Sequence, residues 1–143
     1  MNNIIGQQIS THLEFLGYTV NDNSKEDSCK FEAKQAEWTI PNLGLRIDKD
    51  NFVFIECSYG RWNDGILNSV DFHNTIQKMN QSSLFSKWYP VKKSVDNGVI
   101  VVIETWAFGY DKNSFGTTIT SFIDDVRKNI PIFYDNFESY KKR

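Results

Sequence analysis

The stretch that decides the fold is GVIVVIETWAFG, from Gly98 to Gly109. It begins with the apolar run Val99–Ile103, and Glu104 is followed by two large aromatics at alternate positions, Trp106 and Phe108. β-Branched and aromatic residues in such a run predict a strand. Alternation places the small and branched residues on one face and Glu104 with the aromatics on the other. Because an unpaired carboxylate is costly to bury, we expect the Glu104 face to be open to solvent near that end.

The same division into two faces extends to the preceding hairpin. If its loop is the three residues 49–51, Ile47 faces Val53 and Arg46 faces Phe54. A two-residue loop would shift the register by one residue and turn the phenylalanines inward. We favour the three-residue loop, because it places both Arg46 and Glu56 outside, where Arg46 could pair with Glu56 or Glu104.

Period-two alternation predicts further strands, and apolar spacing of three or four residues predicts helices. The first helix ends at Gly17, in the place of a left-handed cap, and the polar loop NDNSKEDS follows it. A second helix is expected from Asn68 or Ser69, and Pro90 indicates an edge strand before the turn DNG. The remaining predicted strands are CKFEA, EWTIP, LGLRID and FVFIECSY.

A last helix is predicted by an apolar stripe at helical spacing. Pro131 interrupts the stripe, so we expect a kink or a break near Asn129 and Ile130. The whole order of elements predicts an α+β fold with an antiparallel sheet, an N-terminal helix, a middle helix and a long C-terminal helix. The stripe consists of Phe115, Ile119, Phe122, Val126, Ile130, Phe133 and Phe137.

Length and composition predict a single domain over residues 1–143. The chain is 40% hydrophobic and 15% aromatic, which is enough apolar material for a core. Its formal net charge of −2 argues against a general nucleic-acid binder, which would carry a basic stripe.

The sequence also predicts a cytoplasmic location without membrane association. No apolar run approaches the length of a bilayer span, and the start MNNIIGQQIS lacks the features of a signal peptide. Cys29 and Cys57 have no zinc-ligand spacing. We expect buried free thiols, with a disulfide left open as the alternative.

Several stretches resemble the YbjN family of bacterial sensory-transduction regulators, which share the fold of type III secretion chaperones. The resemblance spans almost the whole chain and rests on the pattern of elements and apolar spacing. It implies a cytosolic protein that binds other proteins in a chaperone-like or regulatory role, and a homodimer. The stretches are THLEFLGY, CKFEAKQAEWTI, GLRIDKDNFVFIE, DFHNTIQKMNQSSLFSKWYP and NGVIVVIETWAF.

No motif predicts catalysis, a metal site or a cofactor. His12 and His73 lack metal-ligand spacing, and the glycines form no phosphate-binding loop. Glu56 and Glu104 could form a carboxylate pair of the kind that hydrolases use, but no supporting motif accompanies them. We therefore expect a protein that is not an enzyme, with a hydrolase using Glu56 and Glu104 as a minor alternative.

The predicted function is a module that binds a polypeptide through an aromatic sheet face. Aromatic residues and arginine supply much of the energy of protein interfaces. The segment after Pro131 could instead cover this face. Trp62, in the loop GRWNDG, is also expected to be exposed, where it could meet a partner or pack back onto the domain. The alternative function is an immunity or inhibitor protein against one toxin or enzyme, which a loop aromatic at Trp62 would suit. The candidate partner-binding residues are Arg46, Phe52, Phe54, Glu56, Trp62, Glu104, Trp106 and Phe108.

Overall fold

A computed structural model describes residues 4–24, 29–34, 41–83 and 85–142. The predicted strand EWTIP, with Trp38 and Ile40, lies almost entirely outside these residues. The elements, in chain order, are α1 (Ile4–Phe15), β1 (Thr19–Asp22), β2 (Cys29–Lys34), β3 (Leu43–Ile47), β4 (Phe52–Trp62), a 3-10 turn (Asp64–Asn68), α2 (Val70–Ser82), β5 (Lys87–Lys92), β6 (Val99–Phe108), α3 (Phe115–Asn136) and a second 3-10 turn (Glu138–Tyr140).

The strands form one antiparallel sheet in the order β1-β2-β3-β4-β6-β5. The predicted α+β fold is therefore confirmed, with its three helices in the expected order. The hairpin between β3 and β4 has the three-residue register, because Ile47 is paired with Val53 and Arg46 with Phe54. Asp48 stabilises the turn by accepting a hydrogen bond from the Phe52 backbone N–H at 3.0 Å.

The sequence predicts the strand at one edge of the sheet but not the strand at the other. β5 lies at one edge, as the proline in its sequence predicts, since Pro90 has no N–H to donate. β1 lies at the other edge and was not predicted. Asn21 and Asp22 belong to this strand and pair with Glu32 and Phe31, although the sequence places them in a polar loop. Three of its four residues are exposed, so hydrophobic periodicity gives no signal there.

The three helices pack on one face of the sheet and form the core with it. β6 contributes Val99, Val101 and Ile103 to this core face, and all three are fully buried. An aromatic cluster lies between the helices and the sheet, where the Phe133 ring stacks on Trp88 with centroids 6.0 Å apart and planes 12° apart. The whole predicted stripe of the last helix is buried: Phe115, Ile119, Phe122, Val126, Ile130, Phe133 and Phe137.

Helix α3 continues through Pro131, so the expected break is wrong. A proline inside a helix removes one backbone hydrogen bond and costs about 3 kcal/mol. Here Pro131 is on the exposed side of the helix. Burial of Phe133 and Phe137 beyond the proline stabilises the continued helix.

Both cysteines are free thiols in the core. They are 3% and 4% exposed, which leaves the disulfide alternative unsupported. Burial, with a smaller contribution from neighbouring Glu56, raises the pKa of Cys57 to about 12. Within the described ranges, the model contains no helix with the length and apolar character of a bilayer span.

Candidate partner-binding face

The sheet side that carries no helix is the candidate site. Strand alternation turns every second residue of β3, β4 and β6 towards it, while the intervening residues are buried under the helices. We call this surface the open face. Its residues include seven of the eight predicted partner-binding residues: Arg46, Phe52, Phe54, Glu56, Glu104, Trp106 and Phe108.

Four aromatic rings form one end of the open face. Phe52 is paired with Phe108 across β4 and β6, and Phe54 with Trp106. The Phe52 and Phe108 rings meet edge to face with centroids 4.9 Å apart, a favourable arrangement for aromatic pairs. Trp106 is 57% exposed and Phe108 is 78% exposed. These rings therefore form a connected apolar surface in contact with water, which we call the aromatic end.

Arg46 extends the aromatic end rather than forming the expected ion pair. Its guanidinium lies 4.7 Å from the centre of the Phe54 ring, within the range of a cation–π contact. Among the described residues it makes no salt bridge with Glu56 or Glu104. The predicted register, with Arg46 opposite Phe54, is correct, but the guanidinium contacts that ring instead of a carboxylate.

A row of carboxylates crosses the sheet next to the aromatic end. Glu32, Gly44, Glu56 and Glu104 are successive cross-strand partners on β2, β3, β4 and β6. Glu32 accepts a hydrogen bond from the Asn42 side chain at 3.2 Å. Like charges that are directly opposite each other destabilise a sheet, so the Glu56–Glu104 pair is an unfavourable one. We call Glu56 and Glu104 the carboxylate pair.

One neutral donor compensates part of this charge. The Tyr89 hydroxyl donates to Glu104 Oε2 at 2.9 Å. Burial, this hydrogen bond and the negative charge of Glu104 and Glu56 raise the pKa of Tyr89 to about 12. Tyr89 was not predicted as a site residue, although alternation around the inward-facing Trp88 on β5 places it on the open face.

A shallow groove of about 540 Å³ follows the carboxylate row. Gly44 has no side chain to fill it, and the Cβ of an alanine there would lie 3.5 Å from Glu56 Cγ. The groove walls combine polar and apolar groups, including Arg46, Ser58 and Val102. A larger cavity of about 650 Å³ lies between α2 and the C-terminal segment, on the helix side and away from the predicted residues.

Trp62 is buried, so its expected exposure is wrong. It lies at the end of β4 rather than in a loop, is 4% exposed, and packs against Phe72 and Phe133. The pairing of β4 with β6 shifts between Tyr59 and Trp62. This bulge inserts one residue, which moves Trp62 from the open face to the core. Gly60, directly after the predicted strand FVFIECSY, is the sequence signal that could have indicated this bulge.

The last helix does not cover the open face. Phe133 and Phe137, the residues that could have done so, are buried on the helix side with Phe72. Trp106 and Phe108 remain exposed with respect to all described residues. The intramolecular cover that was considered is therefore absent from the described part of the chain.

Both histidines have structural contacts elsewhere. His12 Nδ1 lies 2.7 Å from the Tyr110 hydroxyl, and His73 Nε2 lies 2.7 Å from the Leu67 carbonyl. Within the described ranges, histidine, cysteine and acidic side chains form no group that could hold a metal ion. The chemistry offered by the open face is that of carboxylates, a guanidinium, lysine ammonium groups, a phenol and apolar rings.

Comparisons with known proteins support the fold. No family model matches the chain, and no curated protein matches it at a significant level. Among solved structures it is similar to YbjN from E. coli, which is described as a candidate transcription regulator. The TM-score is 0.63, the identity is 13%, and 90% of each chain is covered. The resemblance to YbjN predicted from the sequence is thus confirmed at the level of the fold.

Proposed function

We propose that this chain is a non-enzymatic protein-binding module, with a regulatory or chaperone-like role, that binds a polypeptide through the open face. The observation that supports this is the aromatic end, where four rings are clustered on a sheet surface that no described element covers. An exposed apolar cluster flanked by charges is typical of an interaction site. The similarity of the fold to YbjN agrees with a regulatory role but names no partner.

The energetics favour association at this surface. Fully burying a large apolar side chain contributes about 1.5–3 kcal/mol. Trp106 and Phe108 still expose more than half of their surface, so most of this contribution is available to a partner. Rigid rings lose little conformational entropy on binding, since the sheet already fixes their backbone. Glu56 and Arg46 at the margin would orient the partner.

The same observations rank the other functions lower. The immunity or inhibitor function was favoured by small size, acidic balance and an exposed loop aromatic, and it loses the last of these because Trp62 is in the core. A hydrolase would use Glu56 and Glu104, but both histidines lie on the helix side and the groove is shallow and open. We propose a cytoplasmic protein without nucleic-acid or membrane partners. The homodimer stays a prediction, to be checked by the mass from light scattering.

The first experiment is affinity capture from the native lysate with matched variants. The test variant is Trp106→Ala with Phe108→Ser, and the control is Phe15→Ser, which removes an 86% exposed ring from the end of α1. Thermal melting establishes that each variant folds. We expect specific proteins to bind the wild type and the control, and to be lost with the test variant.

One result would contradict the proposal, and another would require a milder variant. Partners that bind the folded test variant as well as the wild type would place the interface elsewhere. An unfolded test variant would show that the aromatic end contributes to stability, and Phe108→Ser alone would then be used, since Phe108 is the more exposed of the two rings.

A further inference from the structure

We infer that the partner is an amphipathic helix that places a lysine or arginine over the carboxylate pair and apolar side chains over the aromatic end. This inference rests on the proposed function, and it specifies the chemistry of the partner at that same face. The observations that support it are the charge, the cross-strand pairing and the spacing of residues on the open face.

The carboxylate pair lacks a cationic partner within the described part of the chain. Glu56 and Glu104 are directly opposite each other on neighbouring strands, and no described basic group lies within 4.0 Å of either. The Tyr89 hydroxyl supplies Glu104 with one neutral hydrogen bond. A cation between the two carboxylates would remove their mutual repulsion and gain from both charges.

The basic residues of the open face are engaged at other positions. Arg46 lies over the Phe54 ring, and Lys34 Nζ is 3.8 Å from Glu32 Oε1. Lys87 is paired with Glu104 across the edge strand, but its ammonium lies 5.6 Å from the centre of the Tyr89 ring. Lys30 is the cross-strand partner of Arg46, one row away from the carboxylate pair. An external cation is therefore the best complement to Glu56 and Glu104.

The spacing of the open face matches an α-helix that runs along β4 and β6. The carboxylate pair, the pair Phe54–Trp106 and the pair Phe52–Phe108 are three successive rows, each two residues along the strand from the next. Two strand residues span about 6.8 Å, and four helical residues rise about 6 Å. A basic residue at position i, with apolar residues at i+4 and i+8, would meet the three rows in order.

A helix is favoured over an extended segment by its backbone chemistry. The side chains of the open face separate the partner from the backbone of the sheet, so an extended segment lying there would find no backbone partners for its own N–H and C=O groups. An α-helix makes these hydrogen bonds internally. It can therefore pack on the face and exclude water from the rings without leaving polar groups unpaired.

A selection from a displayed library of helical peptides tests the inference. Every surface position of a stable helical scaffold is randomised, and clones that bind the wild type are counter-selected against Trp106→Ala with Phe108→Ser. We expect the retained clones to be enriched in Lys or Arg at one position, with apolar residues at i+4 and i+8 or one residue away.

The selection separates failure of the inference from failure of the proposed function. Retained clones without an enriched Lys or Arg at the position expected to face the carboxylate pair would overturn the inference and leave the proposed function standing. If every binding clone also binds the aromatic-end variant, both are overturned, because recognition then does not use this face.

A double-mutant cycle on the best clone gives the second measurement. The clone and its Lys→Gln or Arg→Gln version are titrated against the wild type and against the variant Glu56→Gln with Glu104→Gln. We expect the basic peptide to bind the wild type at least fivefold more tightly than its glutamine version, and the difference to vanish with the variant. The control Glu14→Gln with Glu138→Gln removes the same charge at exposed positions outside the open face. An equal loss with this control would reduce the effect to net charge and overturn the inference.

Discussion

At the scale of single residues, Tyr89 connects the edge strand to the carboxylate pair. Its hydroxyl can donate to Glu104 only while it carries its proton. Ionisation would bring a third negative charge next to Glu56 and Glu104, and this charge contributes to the raised pKa of Tyr89. The phenol therefore supplies Glu104 with a neutral donor next to a second carboxylate, Glu56, that strand pairing places opposite it.

This arrangement predicts an alkaline limit of stability. The pKa of Tyr89 is about 12 in the folded chain, against an ordinary value of 10.0. The protonated Tyr89 therefore contributes fully to the free energy of unfolding below pH 10, and this contribution is lost as the pH rises towards 12. We expect the melting temperature of the wild type to fall over this range and that of Tyr89→Phe to fall less.

The phenylalanine variant should also lose about 0.5–1.5 kcal/mol at pH 7, the net contribution of one hydrogen bond. Absorbance at 295 nm checks the assignment, because tyrosinate absorbs there and Tyr89 should titrate late in the wild type. A normal titration of all six tyrosines in the folded protein would contradict the prediction.

At the scale of elements, strand β4 changes face along its length. Its first half alternates regularly, with Phe52 and Phe54 on the open face. Gly60 has a φ of +85° and lies within the bulge, after which Trp62 faces the core. The Trp62 ring lies so close to the Gly60 backbone that an added Cβ would overlap the ring. A glycine is required there by conformation and by space.

Gly60→Ala should therefore be strongly destabilising. A left-handed residue other than glycine costs about 1–3 kcal/mol, and displacement of Trp62 adds to that cost. Gly109→Ala is the matched control, because Gly109 has a φ of +76° and no atom within 4 Å of an added Cβ. Chemical denaturation should show a clearly larger loss of unfolding free energy for Gly60→Ala, and equal losses would contradict the role given to Trp62.

The sequence predicts the regular parts of these elements and misses the irregular ones. The sequence predicts the register between β3 and β4, because the three-residue loop places both Arg46 and Glu56 outside. The structure confirms this register. Alternation also identifies the open face, since it depends only on neighbours along the chain. The predicted register already placed Arg46 opposite Phe54, but the cation–π contact was missed, because the choice between a ring and a carboxylate depends on side-chain rotamers that the strand pattern does not determine. Trp62 was misplaced because one bulge inverts the alternation after it.

At the scale of the whole molecule, the C-terminal segment connects β4 to the turn between β5 and β6. The Tyr140 carbonyl accepts from the Asn63 N–H at 2.8 Å, and the Arg61 carbonyl accepts from the Lys142 N–H at 2.8 Å. Both Arg61 and Lys142 also reach Asp96 in that turn. The end of the chain is thus held in place, as far as Lys142, by backbone hydrogen bonds to residues 61 and 63 at the end of β4.

Asp96 is the centre of this connection, and its charge should contribute to stability against acid. The Gly98 N–H, followed by Arg61 and Lys142, lowers the pKa of Asp96 below its ordinary value of 3.8. This stabilisation is present above pH 3.8 and is lost as the pH falls through the lowered value. We expect Asp96→Asn to melt at a lower temperature at pH 7 and to depend less on acid and on salt. A variant with the salt and pH dependence of the wild type would show that the contacts contribute nothing.

The bulge in β4 also bears on how such a chain could evolve. Insertions and deletions of one residue are destructive in a strand, because they turn every later side chain to the wrong face. The extra residue at this bulge changes the facing only of the positions after it, and β4 ends at Trp62, immediately after the bulge. Phe52 and Phe54 lie before the bulge, so a change in residue number at the bulge would leave both rings on the open face. A lineage could therefore remodel the end of the strand without moving the rings that we propose meet a partner.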